Sequence, residues 1–113
     1  MVKNKNYIPG RGDIVWLSFS PTKGHEQSGK RPGLVLTQRD FNEKSSVILI
    51  APITSTARGY GTEVLFDTGK TKGIVLVHQT RSIDWKTRKV KKYDLMPLDI
   101  VQKVQIVLIS LLQ

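Results

Sequence analysis

Apolar positions along this chain fall in short runs of strand length, and only its end carries a helical stripe. Residues 14–19 mix β-branched, aromatic and aliphatic side chains behind the turn signal Pro9-Gly10-Arg11-Gly12 and predict a first strand. Residues 34–37 and 46–53 are nearly continuous apolar runs, as expected of central strands covered on both faces, and the polar stretch between them predicts a helical turn around 39–44. Residues 62–66 and 74–77 flank Asp67-Thr68-Gly69-Lys70-Thr71-Lys72-Gly73, whose two glycines supply positive φ for a hairpin. A short strand over 81–85 follows. At the end Pro97 suits a first helical position, Asp99 favours the positive end of the helix dipole, and apolar residues recur at 101, 104, 108 and 111. Ile100, Ile106, Val107, Ile109 and Leu112 widen that stripe beyond one face, which predicts a helix buried on two sides, by its own sheet and by a second copy of the chain. Trp16, Phe19 and Trp85 read as core, and Tyr60 and Tyr93 as exposed. The pattern as a whole predicts a mainly β protein with a C-terminal helix, built as a small, strongly curved antiparallel sheet or barrel.

Residues 20–31 break this pattern. They hold Pro21, Gly24 and Gly29, the basic residues Lys23, Lys30 and Arg31, and His25, Glu26 and Gln27, with no apolar side chain for a core to grip. A long mobile loop of the kind that carries function is expected there.

At 113 residues the chain is one small domain, too short for a separate cofactor domain, and no apolar run approaches the roughly 18 residues of a membrane span. The absence of cysteine removes disulfides, thiolate metal sites and thiol nucleophiles, and residues 1–10 have no apolar signal region, which points to a reducing cytoplasm. The formal charge is +9, favouring a polyanionic partner, with nucleic acid ahead of an acidic protein segment. That charge is uneven: residues 1–33 carry +4, residues 34–67 carry −1 and residues 68–113 carry +6, so the basic ends must converge to form one field. The run Lys86-Thr87-Arg88-Lys89-Val90-Lys91-Lys92 is read either as a solvated edge that blocks strand-to-strand association or as a phosphate track. His25 and His78 are the only histidines and lack the spacing of a metal motif, so neither a metal nor another cofactor is expected.

Several motifs in a fixed order carry a resemblance. Gly12-Asp13-Ile14-Val15-Trp16, then Pro21-Thr22-Lys23-Gly24-His25-Glu26-Gln27-Ser28-Gly29-Lys30-Arg31-Pro32, Leu34-Val35-Leu36, Ala51-Pro52-Ile53-Thr54-Ser55 and Gln79-Thr80-Arg81-Ser82-Ile83-Asp84-Trp85 closely resemble the MazF and PemK toxins. The resemblance runs from about Tyr7 to the final helix. It implies a dimeric SH3-like barrel of the kind shared with CcdB toxins, and a sequence-specific endoribonuclease that cuts single-stranded RNA without metal, leaving a 2′,3′-cyclic phosphate and a 5′-hydroxyl. It also implies an acidic antitoxin of the MazE or PemI kind.

By position, the resemblance makes Arg31 and Thr54 the catalytic pair, with Glu26 beside them. Lys23, Gln27, Lys30, Ser55, Arg58, His78, Gln79 and Arg81 are then the RNA-binding set. One departure stands out: relatives often have Asp where this chain has His78, so the bases read, rather than the reaction, are expected to differ. Attack by a ribose 2′-hydroxyl on the adjacent phosphorus needs charge stabilisation more than a metal, and an arginine fork grips two phosphate oxygens at once. A threonine hydroxyl held at a strand end adds a directed hydrogen bond. Either Glu26 or the RNA itself moves the proton, and the sequence leaves the general base open. Two other classes fit part of the pattern: a gyrase poison of the CcdB kind acting by protein contact, and a non-catalytic RNA-binding barrel, which would display stacked aromatics.

Overall fold

The structure, a computed structural model, describes residues 7–20, 24 and 29–113. Its strands are β1 Asp13–Ser18, β2 Lys30–Val35, β3 Val47–Thr54, β4 Glu63–Asp67, β5 Lys72–Leu76, β6 Arg81–Asp84 and β7 Lys91–Leu95. Its helices are α1 Arg39–Ser45 and α2 Leu98–Leu111, and a single 3-10 turn, Val77–Gln79, joins β5 to β6. The strands form one curved antiparallel sheet in the order β4-β5-β3-β2-β1-β7, with β6 also on β3. The expected mainly β fold with a C-terminal helix is what forms, its curved sheet making a half-barrel.

β3 organises the sheet. Its first half pairs with β6, Val47 with Asp84 through Ile50 with Arg81, and its middle pairs with β2, from Val35 with Ile50 to Gly33 with Pro52. Its last two residues, Ile53 and Thr54, pair with Val75 and Ile74 of β5. Two close approaches set this arrangement. A Cβ on Gly33 would lie 2.7 Å from Ile50 Cδ1 and 3.0 Å from Phe19 Cζ, and one on Gly73 would lie 2.8 Å from the Thr54 carbonyl oxygen. Glycine at 73 lets the Thr54 backbone come this near, and glycine at 33 leaves room for the Ile50 and Phe19 side chains.

Period-2 alternation splits the apolar residues between the two sheet faces. Ile14, Leu34, Leu36, Ala51 and Ile53 cluster with Val64, Phe66, Val75, Met96, Val101 and Val104, so α2 and the β4–β5 hairpin cover one face. Val15, Leu17, Phe19, Val35, Ile48, Ile50, Ile83, Trp85 and Val90 make a second cluster on the other. The end of β3 where β6 pairs is pinned by Asn42 of α1, which is fully buried. Its side-chain amide donates to the carbonyls of Pro9 (2.7 Å) and Thr37 (2.9 Å) and accepts from the Thr37 hydroxyl (2.6 Å), while its backbone carbonyl accepts from the Trp85 indole (2.8 Å).

Several expectations need correction. β2 begins at Lys30, so Lys30 and Arg31 stand on a strand and not in the loop expected over 20–31; Gly29, which reads as loop punctuation, lies just before it, and Ser18 pairs with Lys30 and Trp16 with Pro32. Trp16 is not core: it is 41% exposed. Alternation sets it on the same face as Ile14, but α2 buries only the Ile14 end. β7 was hidden in the basic run, whose Lys91 and Lys92 begin a strand at the sheet edge, which supports the edge reading of those lysines.

Candidate functional site

Where β3 leaves β2 for β5, the sheet opens. Extending the β2–β3 register two residues beyond Gly33 and Pro52 leads to Arg31 and Thr54, but by then β3 has changed partner. Pro32 and Pro52 stand at the parting point, and neither has an N–H to continue the ladder. The result is an open cleft of about 500 Å³ lined by Lys30, Arg31, Pro32, Ile53, Thr54, Ser55, Thr56, Arg58 and Lys72. Four of those side chains are cations, and none of the described residues lining it is acidic. Such a surface attracts a polyanion.

Each side chain has a local reason for its place. Thr54 is half-buried at the end of β3, and its hydroxyl oxygen accepts the Thr56 N–H at 3.2 Å, which orients the group and leaves its proton available to donate. Arg31 is half-buried on β2, so its guanidinium is carried by sheet backbone and not by a loop. Arg58 belongs to the segment 55–62, whose course is set by Glu63: that carboxylate accepts the backbone N–H groups of Arg58 (3.0 Å) and Gly59 (3.2 Å). Lys72 opens β5, opposite Asp67 across the hairpin.

Thus five of the expected site residues, Lys30, Arg31, Thr54, Ser55 and Arg58, come together in one cleft, and the structure adds Thr56 and Lys72. Lys72 was passed over because it reads as part of a hairpin turn. Its exposed position at a strand start, two residues before Ile74, was the available signal. Three others do not line the cleft. His78 lies on the 3-10 turn, its Nδ1 2.8 Å from the Thr62 hydroxyl and its ring edge-on to Tyr60 at 5.1 Å. Gln79 follows it on the same turn. Arg81 donates from Nη1 to the Phe19 carbonyl at 3.0 Å, and Arg88 donates to the Ser18 carbonyl at 2.8 Å, so both clamp the chain as it leaves β1. Lys23, His25, Glu26 and Gln27 lie outside the described residues. Among the described residues no group of three or more His, Asp or Glu side chains could hold a metal ion, and no helix is long and apolar enough to cross a membrane.

Known proteins share both sequence and shape with this chain. The model of the PemK-like, MazF-like toxins of type II toxin-antitoxin systems matches residues 10–112. The endoribonuclease toxin MazF of Escherichia coli K12 is 40% identical over 86 residues, covering 76% of this chain and 78% of its own. The endoribonuclease toxin ChpB of the same organism is 37% identical over 109 residues, covering 91% of each. The crystal structure of MazF from Deinococcus radiodurans superposes with a TM-score of 0.89 at 39% identity, covering 94% of this chain and 97% of that one. With the motifs in order, the half-barrel formed and these likenesses extending over nearly its whole length, this chain belongs to the PemK-like, MazF-like toxin family.

Proposed function

We propose that this chain is the toxin half of a type II toxin-antitoxin pair, an endoribonuclease whose reaction takes place in the cleft between β2 and the end of β3. The observation that carries the reading is the convergence of Arg31 and Thr54, with Lys30, Arg58 and Lys72, in a cleft whose described lining holds no carboxylate. In the reaction the ribose 2′-oxygen forms a bond to the adjacent phosphorus and loses its proton, while the bond from phosphorus to the leaving 5′-oxygen breaks and that oxygen gains a proton. The products are a 2′,3′-cyclic phosphate and a 5′-hydroxyl. Arg31 grips the non-bridging oxygens as charge builds on them, the Thr54 hydroxyl donates one further hydrogen bond, and no metal is required for either act. Lys30, Arg58 and Lys72 hold flanking phosphates, and Ser55 lies within the same reach. Glu26 is the protein's candidate for moving the proton, with Lys23 and Gln27 beside it in sequence. His78 and Gln79 stand apart from the reacting bond and suit base recognition, with the imidazole changing which base is read.

The same reading covers partners and place. Ile106, Ile109 and Leu112 are 68%, 55% and 80% exposed in the single chain, an apolar strip that a second copy would bury to form a homodimer. The toxin of Deinococcus radiodurans has been crystallised as a MazE-MazF complex. A short acidic antitoxin segment, able to wrap a basic cleft and compete with RNA there, is the inhibitor this surface suits, and the cytoplasm is where both would meet their target. The test is cleavage of a labelled single-stranded RNA in excess EDTA with analysis of the ends formed. Cyclic phosphate and 5′-hydroxyl ends, with the same sequence spared as a duplex, are expected. Activity that disappears in EDTA and returns with magnesium overturns the mechanism.

A further inference from the structure

Beside the cleft lies a second feature that this chemistry does not use. Trp16 and Tyr93 are each 41% exposed, and their ring centroids stand 6.1 Å apart at 45°. Trp16 is the register partner of Pro32 on one side and of Lys91 on the other, so it shares a sheet face with a residue that lines the cleft. Tyr93 is the extra residue of a β-bulge, between Lys92 opposite Val15 and Asp94 opposite Ile14. Bulges re-aim side chains, and this one brings Tyr93 up against Trp16. Lys70, at the tip of the β4–β5 hairpin, lies 4.3 Å above the Tyr93 ring and donates to the Tyr93 carbonyl at 2.6 Å. One ring is thus clamped by a cation, and the other keeps an open face. The Trp16 indole N–H makes no hydrogen bond among the described residues. Lys70 is two residues from Lys72 of the cleft, and Lys30, opposite Ser18, borders the other side. Asp94, next to Tyr93 in sequence, is occupied by the Thr68 hydroxyl and the Leu95 N–H.

We infer that Trp16 is a stacking platform for one unpaired base of the RNA strand as it leaves the cleft, with Tyr93 as its fixed wall and Lys70 and Lys91 as contacts for the phosphate beside that base. The inference rests on the ribonuclease reading above. An indole face and a nearby cation are what single-stranded nucleic acid exploits in sequence-tolerant binding, since every base has a face to stack. An acidic peptide would use the lysines but has no need of an open indole face, which is why RNA is favoured as the occupant. A subsite of this kind adds affinity for longer strands without entering the chemistry.

The experiment compares two substrates, the shortest single-stranded RNA that the wild type cleaves and the same sequence extended by three nucleotides at each end. The extension should improve kcat/KM of the wild type about tenfold, mainly through KM. Trp16→Ala should lose that gain and Trp16→Phe should keep most of it. Emission of Trp16 should also be quenched when the extended RNA is added to Arg31→Ala protein, and the quench should be missing when Trp16→Phe is combined with that change; buried Trp85 supplies the constant background. An undiminished gain in Trp16→Ala overturns the platform, as does a variant whose only defect is weaker binding of an acidic antitoxin peptide. If the wild type cleaves no RNA at all, the ribonuclease reading fails by itself, while the quench still reports on whether RNA stacks at Trp16.

Discussion

The two ends of β3 make opposite uses of polar side chains. At the Val47 end, Asn42, Thr37 and the Trp85 indole bond to one another and to backbone, and Asn42 is wholly buried. At the Thr54 end, the cations Lys30, Arg31, Arg58 and Lys72 share one open cleft with no carboxylate among its described lining residues. The first arrangement lowers the energy of the folded chain, because every buried donor and acceptor is matched. The second gathers like charges in one place, and a polyanion arriving there relieves their mutual repulsion. Stability and function are therefore separable along a single strand, and mutations at its two ends should be distinguishable by what they spare.

The largest effect should come from the open end. Arg31→Ala is expected to slow cleavage about 10²–10³-fold, the usual loss for one donor to a developing oxyanion, while the thermal midpoint moves by only a few degrees. Arg31→Lys should recover little, since an ammonium cannot reproduce the two-point grip. Cleavage rates set beside thermal melts of the same samples check both. Asn42→Ala should do the reverse: about 2–4 kcal/mol of stability lost in urea unfolding, from orphaned buried partners, with the cleavage rate per folded molecule unchanged. A cleavage defect in Asn42→Ala at temperatures where it is fully folded would blur the division.

Much of this contrast was legible in the residues, and the gaps have physical causes. The apolar runs over 46–53 and 74–77 gave away β3 and β5 because strands covered on both faces admit few polar side chains. Arg31 was found as a residue but placed in a loop, since Pro21, Gly24 and Gly29 are turn formers and only pairing with β1 makes a strand of Lys30 and Arg31. Lys72 was hidden in hairpin chemistry for the same reason. β7 escaped because its stabilisation comes from pairing with β1 at an edge where lysines are tolerated, and local propensity is silent on that. Trp16 was assigned to the core by its bulk, although its spacing from Ile14 says only which face it occupies and not how far α2 reaches. That Arg81 and Arg88 hold the carbonyls of Phe19 and Ser18 could not be read at all, because the partners lie some 60–70 positions away in sequence.

Smaller effects refine the comparison. Lys72→Ala should raise KM severalfold, leave kcat nearly intact and reduce the salt dependence of RNA binding by about one phosphate contact, measured as the slope of log affinity against log salt. A collapse of kcat instead would move Lys72 from holding the strand to acting on the reacting bond. The smallest expected effect concerns the hairpin tip. The Thr68 hydroxyl beside Asp94 is the main cause holding its carboxyl below the usual carboxylate range, helped by Thr71, the Leu95 N–H and Lys70. A carboxyl held low in the folded state stabilises it at neutral pH, and that contribution fades as acid protonates the group. Asp94→Asn should therefore lower the thermal midpoint slightly at pH 7, by less at pH 3, and by less again as the pH falls below the folded carboxyl's lowered pKa. An unchanged difference between the two proteins at both pH values would remove the tip from the account.

The central claim is that Arg31 and Thr54 act as one unit on the same phosphorus. Single-turnover cleavage by Arg31→Ala, Thr54→Ala and the double variant, with folding verified by thermal melts, tests it most directly. Each single change should slow the step by at least about a hundredfold, and the double should fall less than about tenfold below the slower single, because a unit once broken has little more to lose. Losses that multiply fully in the double variant, or either single variant cleaving at the wild-type rate, would contradict the claim.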